Sequence, residues 1–206
     1  LRSPLARAQL ALGLTERQQN LAQLPRLKQE LDRLDVMLDE LLTFSKLDAG
    51  QYQLQKQQFD LTELLTEIIA VNTVEADARQ QHIVLDAPSQ LDITADSRLL
   101  ARAIENILRN AIKYGPVGSQ IHCALSQQQH AIVLRICDQG DGIAADQFAA
   151  IFEPFYRVSD SRTSSTGGTG LGLAIVAQIV RQHQGTVFAS AAPTQGLCIT
   201  VQLPLN

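Results

Sequence analysis

The 206-residue chain has no tryptophan, one methionine and only 4% aromatic residues. Any core must therefore be built from aliphatic side chains. Basic residues are not in excess either, with 17 Lys and Arg against 21 Asp and Glu and a net charge of −4. An overall basic footprint for nucleic acid is thereby excluded. No apolar run approaches the roughly 20 residues that a transmembrane helix needs, and no signal-peptide pattern is present. The three cysteines (Cys123, Cys137, Cys198) are widely spaced and include no CxxC pair. Each sits in an apolar, strand-like run, so all three are expected as buried core thiols, consistent with a reducing compartment. The first residue is Leu1 rather than Met, so the chain reads as a soluble fragment, with any membrane segment expected outside it. What remains is 45% hydrophobic and 18% charged, enough for one or two ordinary domains without a structural metal.

The first 50 residues differ from the rest. Leu24, Leu27, Leu31, Leu34, Leu38 and Leu41 recur at alternating steps of 3 and 4, the a/d seam of a coiled coil. A shorter stripe, Leu1, Leu5, Ala8 and Leu12, precedes it, and residues 13–20 break the pattern as a turn. Two such narrow seams are buried by pairing with a second copy, as a dimeric four-helix bundle. A hairpin docked on the rest of the same chain is the alternative. The glutamine-rich residues 51–59 read as a linker. Asp60, with Glu63 three positions on, opens a helix. Strand-like runs follow at 83–85 and 91–94. Asp96 is placed to cap a helix running to about Tyr114. Further strand runs fall at 121–125, 132–138, 186–189 and 197–203, with a helix from about 171 to 183. The expected class is α+β: a helical hairpin at 1–50, then a mixed α/β sandwich over 60–206.

Three segments carry candidate chemistry. On the helix ending at Tyr114, Asn106, Asn110 and Lys113 fall at i, i+4 and i+7, one stripe. Asparagine is a poor helix former. Two in register with a lysine suit oxygen ligands for a hard cation beside a phosphate, or else a solvated polar face. The run Asp138-Gln139-Gly140-Asp141-Gly142-Ile143 ends an apolar strand on a carboxylate. That group can accept a hydrogen bond from a ligand amine, and the glycines admit close backbone approach; a common DG turn is the alternative. Gly167-Gly168-Thr169-Gly170-Leu171-Gly172-Leu173 runs into a helix start, offering backbone amides to phosphate oxygens. No Gly-Lys-Ser/Thr of a Walker A loop occurs. The polar residues 159–166 ahead of it exclude a Rossmann turn and suit a lid that orders on nucleotide. The four histidines read as structural. His82 precedes a strand, His122 and His130 flank a hairpin, and His183 sits at a helix end where its charge would suit the dipole.

Taken in order, N-x-x-x-N, D-x-G-x-G, F-x-x-F and G-x-G-x-G form a specific set. With residues 105–111, 138–143, Ile151-Phe152-Glu153-Pro154-Phe155-Tyr156-Arg157 and 167–173 in those places, the chain resembles the sensor histidine kinases of bacterial two-component systems. These lie within the Bergerat-fold (GHKL) ATPase superfamily. Gly196, in Thr194-Gln195-Gly196-Leu197-Cys198, stands in a degenerate last glycine box. Phe155-Tyr156-Arg157 and residues 167–176 look most like the envelope-stress sensors of that family.

The resemblance implies a site for ATP and Mg2+. Asn110, with Asn106, would ligate Mg2+. Lys113 would contact phosphate and Tyr114 would pack on the nucleotide. Asp138 would take the adenine amine's hydrogen bond, with Gly140, Gly142 and Ile143 shaping the pocket. Tyr156 and Arg157 would lie against the cofactor, and Gly168, Thr169, Gly170, Leu171 and Gly172 would hold phosphates. Leu1-Arg2-Ser3-Pro4-Leu5 matches the tail of the family's phosphoacceptor box, which places the acceptor histidine and the following glutamate just upstream of Leu1. Ser3 stands where the family has Thr or Asn, a position implicated in dephosphorylating the partner regulator, and it keeps a hydroxyl. The implied partners are a second copy of the chain and a response regulator docking near Leu1 to Leu14. In the full-length protein this part would face the cytoplasm beneath a bacterial inner-membrane anchor. Two other readings are a Bergerat ATPase that drives a clamp or phosphorylates serine, and a non-catalytic scaffold that sequesters a regulator. The heptad hairpin and the absence of a large transducer domain count against the first. Intact Asn110, Asp138 and glycines count against the second.

Overall fold

The structure, a computed structural model, describes residues 24–158 and 168–205. The chain divides into two compact units parted between Lys46 and Leu47. The expected first hairpin helix, Ser3 and the lid residues 159–167 lie outside the described residues.

In the first unit the leucine seam forms helix α1 (Leu24–Asp48). Leu31 and Leu38 remain 49% and 46% exposed, and Leu42 is exposed beside them. An a/d seam left in water on one chain is an unmet burial requirement.

In the second unit residues 57–59, read from the sequence as linker, instead form strand β1 together with Asp60 (Gln57–Asp60). Its neighbours explain why. The Gln55 N–H donates to the Asp96 carboxylate at 2.9 Å and the Gln57 amide to Ser97 Oγ at 2.8 Å. Asp60 then caps α2 (Leu61–Asp77) by accepting from the Thr62 N–H. β2 (His82–Asp86) and β3 (Asp92–Ala95) follow, and they do not pair with each other. β3 runs antiparallel to β1, with Phe59 opposite Ile93, while β2 lies parallel to β4 (Gln120–Gln128). The main sheet has the order β2-β4-β5-β7-β6, with β5 at Ala131–Cys137, β6 at Thr186–Ala191 and β7 at Leu197–Pro204. Apart from β2 with β4, every pairing in it is antiparallel.

The helices α3 (Ser97–Tyr114) and α4 (Gly172–Gln182) join α2 over this sheet. α3 starts where the Asp96 carboxylate accepts from the Leu99 N–H at 3.2 Å, as the sequence predicts. Its apolar face is wholly buried, and Leu100, Ile104, Ile132, Leu134 and Val201 meet between helix and sheet. The opposite stripe, Asn106, Asn110 and Lys113, is thereby turned out of the core.

Two expectations about side chains are corrected. Cys137 and Cys198 are not separate thiols but a disulfide between β5 and β7, and only Cys123 is a free thiol among the described residues. The two are direct cross-strand partners. The neighbouring Asp138 N–H bond to the Leu197 carbonyl marks theirs as a non-hydrogen-bonded pair, where side chains approach closest. Burial pushes the Cys123 thiol up to about 12. His183 does not present a charge to its helix end. It is buried, its Nδ1 donating to the Ile179 carbonyl at 2.8 Å and its Nε2 accepting from the Asp96 N–H at 3.1 Å.

Burial is the main cause that lowers the His183 pKa, and nearby Lys56 adds to it. The Ile179 carbonyl and the Asp96 charge oppose both. A depressed histidine pKa means that the unfolded chain binds the proton first as pH falls. Its stabilisation is therefore present above the ordinary value of about 6.5 and is lost below it. Melting temperatures measured from pH 7 to pH 5 should drop more steeply in the wild type than in His183→Gln. Parallel curves would remove His183 from the acid response.

Candidate functional site

The site is built where the end of α3, the turn after β5 and the start of α4 converge. β5 delivers Asp138 at its end, 8% exposed. Its Oδ1 accepts from the Gly140 N–H at 2.8 Å and from the Leu197 N–H at 3.2 Å, so the carboxylate is aimed by two backbone amides. Burial raises its pKa, and these bonds pull it back only in part. A buried carboxylate held ready to accept is an unusual and costly arrangement outside a functional site.

The glycines around it are needed for space. A Cβ on Gly140 would lie 2.6 Å from the Tyr114 carbonyl oxygen, so the turn after β5 packs directly on the end of α3. From that end Lys113 places its Nζ over the Tyr114 ring, 4.8 Å from the centroid. The same Nζ is 3.1 Å from where a Cβ on Gly168 would stand. Lys113 therefore faces the glycine-rich segment. Two turns back, the Asn106 amide donates to the Gly172 carbonyl at 3.3 Å, tying α3 to the first residue of α4. No side chain caps α4, so the first-turn amides are open to an anion. The Thr169 hydroxyl accepts from the Leu171 N–H at 3.1 Å. Gly170, at φ +76°, accepts from the Phe155 N–H at 2.9 Å, so the aromatic segment closes onto the glycine turn. A Cβ there would lie 3.1 Å from the Tyr156 carbonyl oxygen.

Asn106, Lys113, Tyr114, Asp138, Gly140, Tyr156, Gly168, Thr169, Gly170 and Gly172 are thus joined through direct neighbours. Asn110 is half-buried on the same α3 stripe, one turn from Asn106. Gly142, at φ +70°, is set against Gly196 rather than α3. Ile143 is half-buried and Arg157 exposed. The Leu171 side chain is fully buried in the core, so only its backbone could face a phosphate. Sequence reasoning missed the Leu197 amide, which aims Asp138. A backbone group on a strand 59 residues away leaves no mark in residue type.

The donor set fits nucleotide with a divalent cation. The side-chain oxygens on the α3 stripe are neutral amides. A hard cation held by them would take its charge compensation from phosphate, and Lys113 and the α4 amides are placed to share that phosphate.

Residues 95–206 match the family of histidine kinase-, DNA gyrase B- and HSP90-like ATPases. Over the whole chain the sequence is 32% identical to the sensor histidine kinase CpxA of Escherichia coli, 45% of whose length is covered. The chain spans 43 to 46% of the first curated relatives that it matches. Among solved structures, full-length ShkA in complex with AMPPNP aligns with 98% of the chain and 42% of its own, at TM-score 0.77 and 25% identity. The histidine kinase ThkA in complex with the response regulator protein TrrA aligns with the whole chain and 58% of its own, at TM-score 0.77 and 19% identity. At that identity the second match bears on fold alone.

Proposed function

The chain belongs to the family of histidine kinase-, DNA gyrase B- and HSP90-like ATPases, and from that premise we propose that it is the catalytic part of a sensor histidine kinase. It binds Mg-ATP through residues 95–206 and transfers the γ-phosphoryl group to a histidine upstream of Leu1. The phosphoryl group then passes to an aspartate of a response regulator. The observation that carries the reading is Asp138, a buried carboxylate aimed by the Gly140 and Leu197 amides. It stands on the same wall as the Asn106–Lys113 stripe and the uncapped start of α4.

In this reading the Asp138 carboxylate accepts from the adenine amine, which selects the base. Tyr114 packs on the nucleotide, and Lys113 meets phosphate oxygens from the end of α3. The amides at Gly170 and Gly172 and the first turn of α4 take the remaining phosphate charge. Asn110 and Asn106 offer amide oxygens to Mg2+, which supplies neutralisation of the charge that develops on the phosphates. The transfer breaks the bond between the γ-phosphorus and the β-bridging oxygen and forms a phosphorus–nitrogen bond to the imidazole, leaving ADP. Such chemistry needs positioning and charge neutralisation rather than a protein nucleophile in this domain.

The half-exposed Leu31 and Leu38 on α1 support a homodimer formed through residues 1–50. Ser3, with its hydroxyl, is assigned to dephosphorylation of the regulator. No helix among the described residues is long and apolar enough to cross a membrane; anchoring to a bacterial inner membrane is assigned to segments upstream.

Incubation with γ-labelled ATP tests the proposal, using this chain and one extended upstream through the natural sequence. Label is expected only on the extended chain, stable to alkali and lost in acid, as a phosphohistidine requires. Label on neither chain, with nucleotide still bound, would overturn the kinase reading in favour of an ATPase or a regulator-binding scaffold.

A further inference from the structure

We infer that Arg79 and Gln81, in the turn between α2 and β2, are positioning residues for the nucleotide site. They hook the end of α3 and so set Lys113 and Tyr114. This inference rests on the nucleotide-binding reading above.

A helix ends with carbonyls that have no partner inside it. At the end of α3 the Gly115 N–H takes the Ala111 carbonyl, and the next ones are taken from outside. The Gln81 amide nitrogen donates to the carbonyls of Ile112 (3.1 Å), Gly115 (3.0 Å) and Pro116 (3.0 Å). One guanidinium nitrogen of Arg79 donates to Lys113 (3.4 Å) and Gly115 (2.9 Å). The hook is itself fastened down, since the Gly118 N–H donates to the Arg79 carbonyl and the His82 N–H to that of Ser119.

Three features separate this arrangement from an ordinary cap. Gln81 is 1% exposed, and its Oε1 and the Arg79 Nε are buried with no hydrogen-bond partner among the described residues. A glycine ends many helices without burying an orphan polar atom, and costly arrangements of this kind persist where a local geometry matters. Gly115 leaves no slack, because a Cβ there would lie 2.9 Å from the Gln81 amide nitrogen. One hooked carbonyl belongs to a residue of the site, Lys113, and the others flank Lys113 and Tyr114 in the chain. Lys113 reaches Gly168, and the Tyr114 carbonyl abuts Gly140, the amide of which aims Asp138. Rotation of this last turn would move the phosphate contact and the aromatic face together.

The test is a double-mutant cycle on AMPPNP affinity, read by titration calorimetry. Gln81→Met keeps the length and apolar bulk but removes the donor. It should weaken AMPPNP about tenfold in the wild-type background and less than about twofold in Lys113→Ala/Tyr114→Ala, because the hook acts through those side chains. Arg79→Ala, at a half-buried position, should show the same non-additivity with a smaller loss, and it supplies the answer if Gln81→Met does not fold. Equal losses in both backgrounds would reduce the hook to a stabilising cap, and unchanged affinity throughout would remove it. If the wild type itself binds no AMPPNP, the nucleotide reading falls and the inference falls with it.

Discussion

Asp138→Asn should fold as well as the wild type yet bind ATP about a hundredfold more weakly, a loss of about 2.7 kcal/mol. The asparagine oxygen can still accept from the Gly140 and Leu197 amides, both of which fall on Oδ1, so the turn after β5 keeps its shape. The other carboxylate oxygen becomes an NH2 group, and two donors then face each other where the adenine amine should be received. A site built to accept a hydrogen bond discriminates strongly when the match is lost. Stability moves the other way. Burial raises the Asp138 pKa in the folded state, so its favourable contribution to folding is present below the ordinary carboxylate range and is lost as pH rises through the raised value. At neutral pH the ionised group costs stability, and the neutral amide removes that cost. Calorimetric titration with AMPPNP alongside a melting curve at pH 7 decides it. Weak binding with an equal or higher melting temperature is expected, and wild-type affinity would dismiss Asp138 as the base-selecting group.

Gly196→Ala should be the most damaging single methyl in the domain. Gly196 sits at φ +111°, and a Cβ there would lie 2.1 Å from the Asp138 carbonyl oxygen and 2.7 Å from its carbon. Those atoms belong to the backbone at the end of β5, which cannot move without releasing the carboxylate. Steric displacement added to an unfavourable conformation gives an expected loss of about 4 kcal/mol. That corresponds to a fall of about 10 °C in melting temperature for a domain of this size, with nucleotide binding abolished in whatever remains folded. Gly118→Ala is the control, since Gly118 also has positive φ, at +77°, but nothing lies within 4 Å of its Cβ position. It should cost about 1 kcal/mol. Equal melting temperatures for the two variants would show that conformation alone, and not the approach to Asp138, sets the requirement for glycine.

Much of the domain was legible because local and tertiary signals agree in it. Asp96 is both the residue type that caps helices and the observed cap of α3, and the apolar period of α3 matches its buried face. Asn106, Lys113, Asp138 and the glycines could be singled out only as an ordered set, since each segment alone had an ordinary alternative in a solvated helix face or a common DG turn. What was not legible depends on distant partners. Residues 57–60 carry little strand character and become β1 through Gln55, Gln57 and the register with β3. Cys137 and Cys198 each look like a core residue, and only the pairing of β5 with β7 puts them opposite one another. His183 looks like a charged helix end until the Asp96 N–H claims its free nitrogen. Arg79 and Gln81 read as an ordinary polar turn because the groups they hold are main-chain carbonyls 31 to 36 residues ahead.

The position of β7 has a consequence for how the protein is made. The last strand of the described chain is seated in the interior of the sheet, between β5 and β6. A chain emerging from the ribosome amino-terminus first exposes one edge of β5 until β7 arrives. Over that interval every motif for nucleotide has been synthesised, but the Asp138 carboxylate lacks Leu197. A product halted before β7 would carry a full set of signature residues and no pocket. Nucleotide binding therefore has to wait for β7, however complete the set of motifs ahead of it.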